Sequence, residues 1–443
     1  MQAEAREDNR ERAAAGGIPF GPLQGLKVLD LSIIVAGGTA SSLLADFGAD
    51  VVKVERPGSG DPLRNWGPFA NGVSLWWKVH SRNKKSLTLD LGKREGQALL
   101  LELAAQADVL IEGFRPGTLE RWNLGPQQLH EANPGLVILR FSGFGQSGPY
   151  RDRPGFGTIA ECMSGYIAMT GFPETPPVLP PIPLADEIAG VFGAMAGMMA
   201  LYRRETAPSE MAAGESVAGD TEQGDTDGDT AIPKRRAGGQ VIDLSLFEPL
   251  FRLCIPHLPM YDLLGIVRER VGNDFPDAAP RSLYRTGDQR WLGLSATSQS
   301  TWEALAQAMG LSHLLDDDRF GNNAARLENK DALNEELQGW LGDRPLDQIL
   351  EKLVPAGGVV GPVYDSSQII NDPHYRERED VLEIDDPDLG RTIMPGVVPK
   401  FTATPGAVEY GGPRLGEHNS QVLGNWLDYD QERIQALEDS GVI

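Results

Sequence analysis

Two apolar runs, Lys27–Leu31 and Asp50–Glu55, flank a stretch where Ala40, Leu43, Leu44 and Phe47 recur at i, i+3, i+4 and i+7. That spacing predicts one buried helical stripe, with Gly48 as its stop. Strand, helix, strand follows. Residues 87–91, 108–112 and 136–141 read as further strands, and 95–106 as a crossover helix. Parallel strands need such crossovers, which pack against the sheet. The predicted class is therefore α/β, a parallel sheet with helices on both faces.

The rest of the chain divides by composition. Its 443 residues suggest two or three domains, with 41% hydrophobic residues to fill their cores. Residues 1–19 form a polar tail. Residues 205–239 turn to Ala, Gly, Ser, Thr and acid, which predicts a disordered surface insertion. A strand over 240–246 and a core-packed helix over 247–264 resume the fold. Helical periodicity fills 301–353, residues 357–363 suggest a buried turn and strand, and 395–401 leads back towards the surface. The expected plan is a large domain from 20–204 and 395–443, with a linker helix and small domain at 240–394.

There are 63 acidic residues against 40 basic ones, a formal charge of -23. This disfavours nucleic acid or an anionic membrane as the main partner. Thirty arginines against ten lysines, with that acid excess, fit either a GC-rich genome or a salty cytoplasm. Two cysteines, Cys162 and Cys254, match neither a disulfide framework nor a four-ligand zinc site. The start lacks the apolar core of a secretion signal, and the longest apolar run, 188–202, is shorter than a bilayer span. A cytoplasmic protein is expected.

Between residues 176 and 201 the only charges are Asp186 and Glu187, at the head of a small-residue helix. Aspartate there is explained by helix capping. The capping role does not exclude a carboxylate nucleophile kept ionised by the helix N-terminus. Residues 27–94 carry ten basic side chains against six acids, which points to a phosphorylated ligand or to a solvated face. The densest point, Arg82-Asn83-Lys84-Lys85, falls in a predicted turn. The turns Ala36-Gly37-Gly38 and 143–149 follow strands but lack a dinucleotide or P-loop pattern. None of the six histidines has metal-ligand spacing, so no metal is expected.

Several segments, in order, resemble the class III coenzyme A transferases of the CaiB/BaiF type. They include 25–31, Ala45-Asp46-Phe47-Gly48-Ala49-Asp50 with the strand that follows, Asn83-Lys84-Lys85-Ser86, and Phe114-Arg115-Pro116-Gly117. Further matches are 143–150, Ala185-Asp186 with Ala189-Gly190, Gly361-Pro362-Val363, Asp372-Pro373-His374 and Leu415-Gly416-Glu417-His418. The likeness covers about 20–204 and 238–428.

The resemblance implies an interlocked homodimer with a Rossmann-like large domain and a smaller α+β middle domain. It puts the catalytic carboxylate at Asp186. In the implied mechanism that carboxylate attacks an acyl-CoA thioester, giving an aspartyl anhydride and then an aspartyl-CoA thioester, which an acceptor acid resolves. Coenzyme A would lie against Val35, Ala36, Arg56, Asn83, Lys84, Phe114, Arg115 and Arg121, with Arg56, Lys84 and Arg121 facing its nucleotide. It is a substrate, and no permanent cofactor is implied. Val35 and Gly157 stand where some relatives have a glutamine and an acid, so Glu161 and Arg281 become candidates for acyl contacts. No glycine-rich lid is evident around Gly272-Asn273. The expected reaction moves CoA from succinyl-CoA to a small acid such as mesaconate. The alternatives are a non-catalytic acyl-CoA-binding protein and a 2-methylacyl-CoA racemase. Gly155-Phe156-Gly157 disfavours the racemase, for its Gly-His-Asp turn is missing.

Overall fold

The computed structural model describes residues 21–207 and 238–443, so the polar tail and most of the acidic insertion lie outside it. The chain forms two compact units. The larger comprises the described residues up to Ser164, Pro180–Cys254 and Arg376–Ile443; the smaller comprises Gly165–Leu179 and Ile255–Tyr375. These limits differ from the expected plan, since 165–179 belongs to the smaller unit, and 240–254 and 376–394 to the larger.

Six strands build the larger unit's sheet: β1 (Lys27–Leu31), β2 (Asp50–Glu55), β3 (Lys84–Thr88), β4 (Val109–Glu112), β5 (Val137–Ser142) and β6 (Val241–Ser245). All pair in parallel, in the order β3-β2-β1-β4-β5-β6. Strand order reverses between β1 and β4. In an open sheet of this kind the crevice beyond the carboxyl ends of those two strands is where ligands sit. Near-continuous apolar runs such as 137–139 are what a sheet covered on both faces requires. The crossover Arg94–Gln106 packs Leu99, Leu100 and Leu103 on one face, and Val422, Leu423 and Trp426 of the terminal helix Asn419–Leu427 join the same core.

Helix α1 (Ala36–Asp46) follows β1 and buries Ala36, Gly37, Gly38, Thr39, Ala40, Ser41, Leu44 and Ala45, whereas Leu43 is only half-buried. Its buried face is thus more N-terminal than the predicted stripe, and is made of small residues. Helix α2 (Leu75–His80) precedes β3, and α3 (Gly157–Met163) follows β5. Helix α4 (Leu184–Thr206), 23 residues long, lies against α1 and β5. By length and composition alone it is apolar enough to cross a bilayer, longer than its 15-residue apolar run indicated.

Two predicted elements are corrected. The third strand covers Lys84–Thr88 rather than 87–91, because Lys84 and Ser86 point into a buried polar network that a search for apolar runs passes over. The helix expected over 247–264 is two, Phe247–Leu253 and His257–Leu264. Pro256 lacks an N–H and disfavours helical geometry at its predecessor, which separates them. The second of the two has no buried residue, so it is not packed on the core. The smaller unit pairs Val360–Pro362, Trp291–Ser295 and Arg281–Arg285 in an antiparallel sheet over a core containing Trp302, Leu305, Leu337 and Leu353.

A charge network pins the first three strands to α1. Asp30, on β1, lies 3.4 Å from Lys53 Nζ and 3.3 Å from Lys84 Nζ, and accepts from the hydroxyls of Ser32 and Ser41. Lys53 also meets Asp61 at 3.1 Å and donates to the Ser32 carbonyl; Lys84 donates to the Gly38 carbonyl at 2.8 Å. Burial favours the neutral carboxyl, yet the two ammonium groups and two hydroxyls hold Asp30 well below the ordinary range. Replacing Asp30 by Ala leaves two buried cations short of a counter-charge. The expected loss is about 3–5 kcal/mol, read from the midpoint of urea unfolding.

Candidate active site

Residues 183–187 position the carboxylate. Helix α4 starts at Leu184 with Pro183 as its N-cap, so Asp186 is the third helical residue and makes no side-chain cap. Capping therefore does not account for it. Its carboxyl lies against Gly157, the first residue of α3: a Cβ added to Gly157 would stand 1.8 Å from Asp186 Oδ2. A side chain at position 157 and the observed carboxyl position exclude each other, whereas glycine admits the oxygen. The departure at Gly157 thus has a steric reason that spacing alone could not show.

Glu161, one turn along α3, is buried and accepts from the Ala185 N–H at 3.3 Å, tying α3 to the head of α4. Glu187 completes a group of three acids. Burial first, then the charges of Glu161 and Glu187, push Asp186 up to about 7. The sequence predicts that the helix N-terminus keeps it ionised; burial and the charges of Glu161 and Glu187, which only the fold brings together, oppose that ionisation. The anion forms near neutral pH.

Glu187 points the other way. Its Oε2 accepts from Thr39 Oγ1 at 2.9 Å, and the same hydroxyl is 2.9 Å from His80 Nε2. Thr39 reaches across because α1 and α4 nearly touch: a Cβ on Gly190 would be 2.5 Å from Thr39 Cβ and 2.6 Å from the Ala36 carbonyl. Thr39 and His80 carried no sequence signal. The glycines at 38 and 190 mark the contact, but only once the helices are paired.

The other predicted residues divide. Val35 and Ala36 follow β1, and Phe114 and Arg115 follow β4, so these four flank the reversal in strand order. Val35 and Ala36 are buried, Phe114 stacks edge-on against Trp122 at 5.4 Å, and Arg115 is exposed. Arg56 is exposed just after β2. Arg121 is exposed, donates to Thr118 Oγ1 at 2.9 Å, and brings Nη1 within 3.4 Å of where a Cβ on Gly117 would be. Arg151, not predicted, approaches the same point at 4.0 Å.

The basic run is a correction. Lys84 is enclosed by Asp30 and Gly38, and Asn83 is bonded to Asp46, the Ala407 carbonyl and the Glu409 N–H. Arg82 pairs with Asp46, and Lys85 with Asp50. The charges of Arg82, Lys84 and Lys85 are therefore answered inside the fold rather than left on a solvated face. Arg281 lies exposed in the smaller unit over the ring of Phe275. Among the described residues no group of three or more His, Cys, Asp or Glu is placed to hold a metal.

A parallel α/β sheet with a desolvated carboxylate at the head of α4 makes up the candidate site. The chain belongs to CoA-transferase family III, which matches residues 23–213 and 231–419. It is 40% identical over 426 residues to the succinyl-CoA:D-citramalate CoA-transferase of Chloroflexus aurantiacus, covering 96% of this chain and 99% of that one. With the beta subunit of the succinyl-CoA:L-malate CoA-transferase from the same bacterium the identity is 37%, covering 95% and 98%. A crystal structure of a CaiB/BaiF family protein from Brucella suis superposes with a TM-score of 0.75 at 28% identity, covering 92% of this chain and all of that one. The chain is a class III CoA-transferase, and CoA thioesters are its substrates.

Replacing Gly157 by Ala drives the Asp186 carboxyl from its place. A displacement near 1 Å lowers kcat by about a hundredfold, with the urea midpoint little changed. Steady-state CoA exchange beside an unfolding curve checks both.

Proposed function

We propose that the enzyme transfers CoA from succinyl-CoA to a C4 or C5 dicarboxylic acid, with Asp186 as the covalent carrier. The observation that carries this reading is the Asp186 carboxyl, held against Gly157 and raised to about 7. The relatives named for succinyl-CoA transfer to citramalate and malate support the donor and the size of the acceptor. Mesaconate, an unsaturated diacid of the same size, belongs to that acceptor class.

The raised basicity suits the first step. Asp186 attacks the thioester carbonyl, the carbon–sulfur bond breaks, and CoA leaves as a thiolate. An ordinary carboxyl has a pKa of about 4 and a thiol about 8.5, so the acyl group passes uphill from the stronger base to the weaker. Bringing the carboxyl to about 7 narrows that gap. The thiolate then attacks the aspartyl carbonyl of the anhydride and releases succinate. The acceptor carboxylate attacks the aspartyl-CoA thioester next, and the returning thiolate takes the new acyl group. Water excluded from the anhydride conserves the thioester free energy. Arg56, Arg115, Arg121 and Arg151 are the exposed cations suited to the nucleotide phosphates.

Hydroxylamine added with succinyl-CoA should convert Asp186 alone to a hydroxamate, seen by peptide mass spectrometry. Asp186→Asn should lose CoA exchange by at least about 10⁴-fold. Because the anion is the nucleophile, activity should fall tenfold per pH unit below about 7 and level off above it. Modification at another residue, or exchange surviving in Asp186→Asn, removes the reading.

We further infer a cytoplasmic homodimer. Helix α4 is apolar on both sides: beyond its buried face, Val191, Met195, Met199 and Tyr202 recur at helical spacing and are exposed, Tyr202 by 72%. Phe156, Ile159 and Met163 on or beside α3 are exposed as well. A helix apolar all round is normally enclosed, and Met and aromatic side chains are enriched where subunits meet. Met195→Asp with Met199→Asp should shift the protein to monomer in sedimentation equilibrium, and a dimer unaffected by both changes would argue against this face.

A further inference from the structure

Three helices meet beside the nucleophile through a single hydroxyl. Thr39 on α1 is buried; its Oγ1 lies 2.9 Å from His80 Nε2, at the end of α2, and 2.9 Å from Glu187 Oε2, on α4. A threonine has one proton to donate. Given to Glu187, it obliges His80 to carry its proton on Nε2 and to donate it to Thr39. Burial and the neighbouring Lys84 push His80 down to about 3, in keeping with a neutral ring. The chain of donors then runs one way, from His80 through Thr39 to the Glu187 carboxylate. His80 Nε2 is also 4.0 Å from Glu187 Oε1.

The arrangement is held in place. The ring sits over Gly38, where a Cβ would be 2.6 Å from Cε1 and 2.8 Å from Nδ1. Its own carbonyl accepts from Ser42 Oγ on α1. Gly190 leaves the space that Thr39 occupies. None of these groups is adjacent to Asp186 in the chain except Glu187.

We propose that Thr39 and His80 are positioning residues that keep Glu187 anionic and turned towards α1, so that a fixed negative charge stands beside the nucleophile. The proposal rests on Asp186 being that nucleophile. The charges facing Asp186 are Glu161 from α3 and Glu187 from its own helix. Those around His80 are Lys84, Asp30, Lys53 and Arg82. Burial raises Glu187 above the ordinary carboxylate range, and the Thr39 hydroxyl offsets part of that rise. Without that hydroxyl the desolvated acid takes up a proton more readily, the field at Asp186 weakens, and Asp186 ionises at lower pH.

The test is the pH profile of kcat/KM for CoA exchange from succinyl-CoA in wild type, Thr39→Val, Thr39→Ser, Glu187→Gln and the Thr39→Val/Glu187→Gln double variant. The acid limb should move down by about half to one pH unit in Thr39→Val and in Glu187→Gln. It should return to the wild-type position in Thr39→Ser, and move no further in the double variant than in Glu187→Gln. A limb that stays put in Glu187→Gln overturns the proposal, as do shifts that add in the double variant. Glu187→Gln needs no repacking and decides alone should Thr39→Val fail to fold. Loss of exchange in Asp186→Asn separates the outcomes: if exchange survives there the nucleophile is wrong, and if it is lost while the limb stays put only the role of Thr39 and His80 falls.

Discussion

The near-contact of α1 with α4 is the constraint on which the site depends. Ala36, Thr39 and Gly190 meet at distances that leave no room for a Cβ at position 190, and Gly193 is pressed as closely on the ring of Phe141. Interiors pack densely, and a volume change of one methyl group is felt. Closeness of this order brings a hydroxyl on one helix within hydrogen-bond reach of a carboxylate on the other. It also fixes the head of α4, with Asp186, relative to the end of β1, where the sheet opens its crevice.

Charge in this fold is organised by enclosure. The excess of basic side chains over residues 27–94 reads in sequence as a surface for a polyanion, yet Lys53, Lys78, Arg82, Lys84 and Lys85 all face carboxylates, all but those of Lys78 contributed by the same stretch. Lys78 meets Asp386 and Asp388, more than 300 residues away. A local count of charges includes most of these carboxylates but not which cation each one meets, nor Asp386 and Asp388. Arg56, Arg115 and Arg121 remain exposed; Arg56 and Arg115 follow strands, where a sheet of this order admits ligands, and Arg121 ends the short helix Thr118–Arg121. Helical and strand periodicity could separate the two groups only if the buried cations interrupted an apolar pattern, which is what displaced the third strand.

Much of the fold was legible because its signals are local. The limits of β1 and β2 coincide with their apolar runs, and the crossover Arg94–Gln106 begins one residue before the predicted start. Asp186 stood out as one of two charges in a long apolar stretch, a feature readable without neighbours. Its ionisation was not legible. The helix terminus is in the sequence, but Glu161 becomes a neighbour only when α3 docks, and desolvation exists only in the folded state. Gly157 is the converse case: the family resemblance implies an acid that is missing there, whereas the structure shows why a side chain at 157 and the Asp186 carboxyl are incompatible.

Three acids gathered at one helix head are hard to reconcile with structural economy alone, since like charges in a poorly solvated place oppose one another. They are coherent with a carrier whose charge changes during the reaction. As an anion Asp186 is repelled by its neighbours, whereas as an acyl or CoA ester it is neutral and the repulsion disappears. With Asp186 as the proposed carrier, the free carboxylate is raised in energy relative to the proposed covalent intermediates, which would favour their formation. An ordinary solvated aspartate would be far more stable than its anhydride and would return the acyl group to the thiolate. On this account Glu161 and Glu187 act on the equilibrium between carrier and load rather than on the acyl group itself, and the helix dipole moderates a destabilisation that the fold has built in.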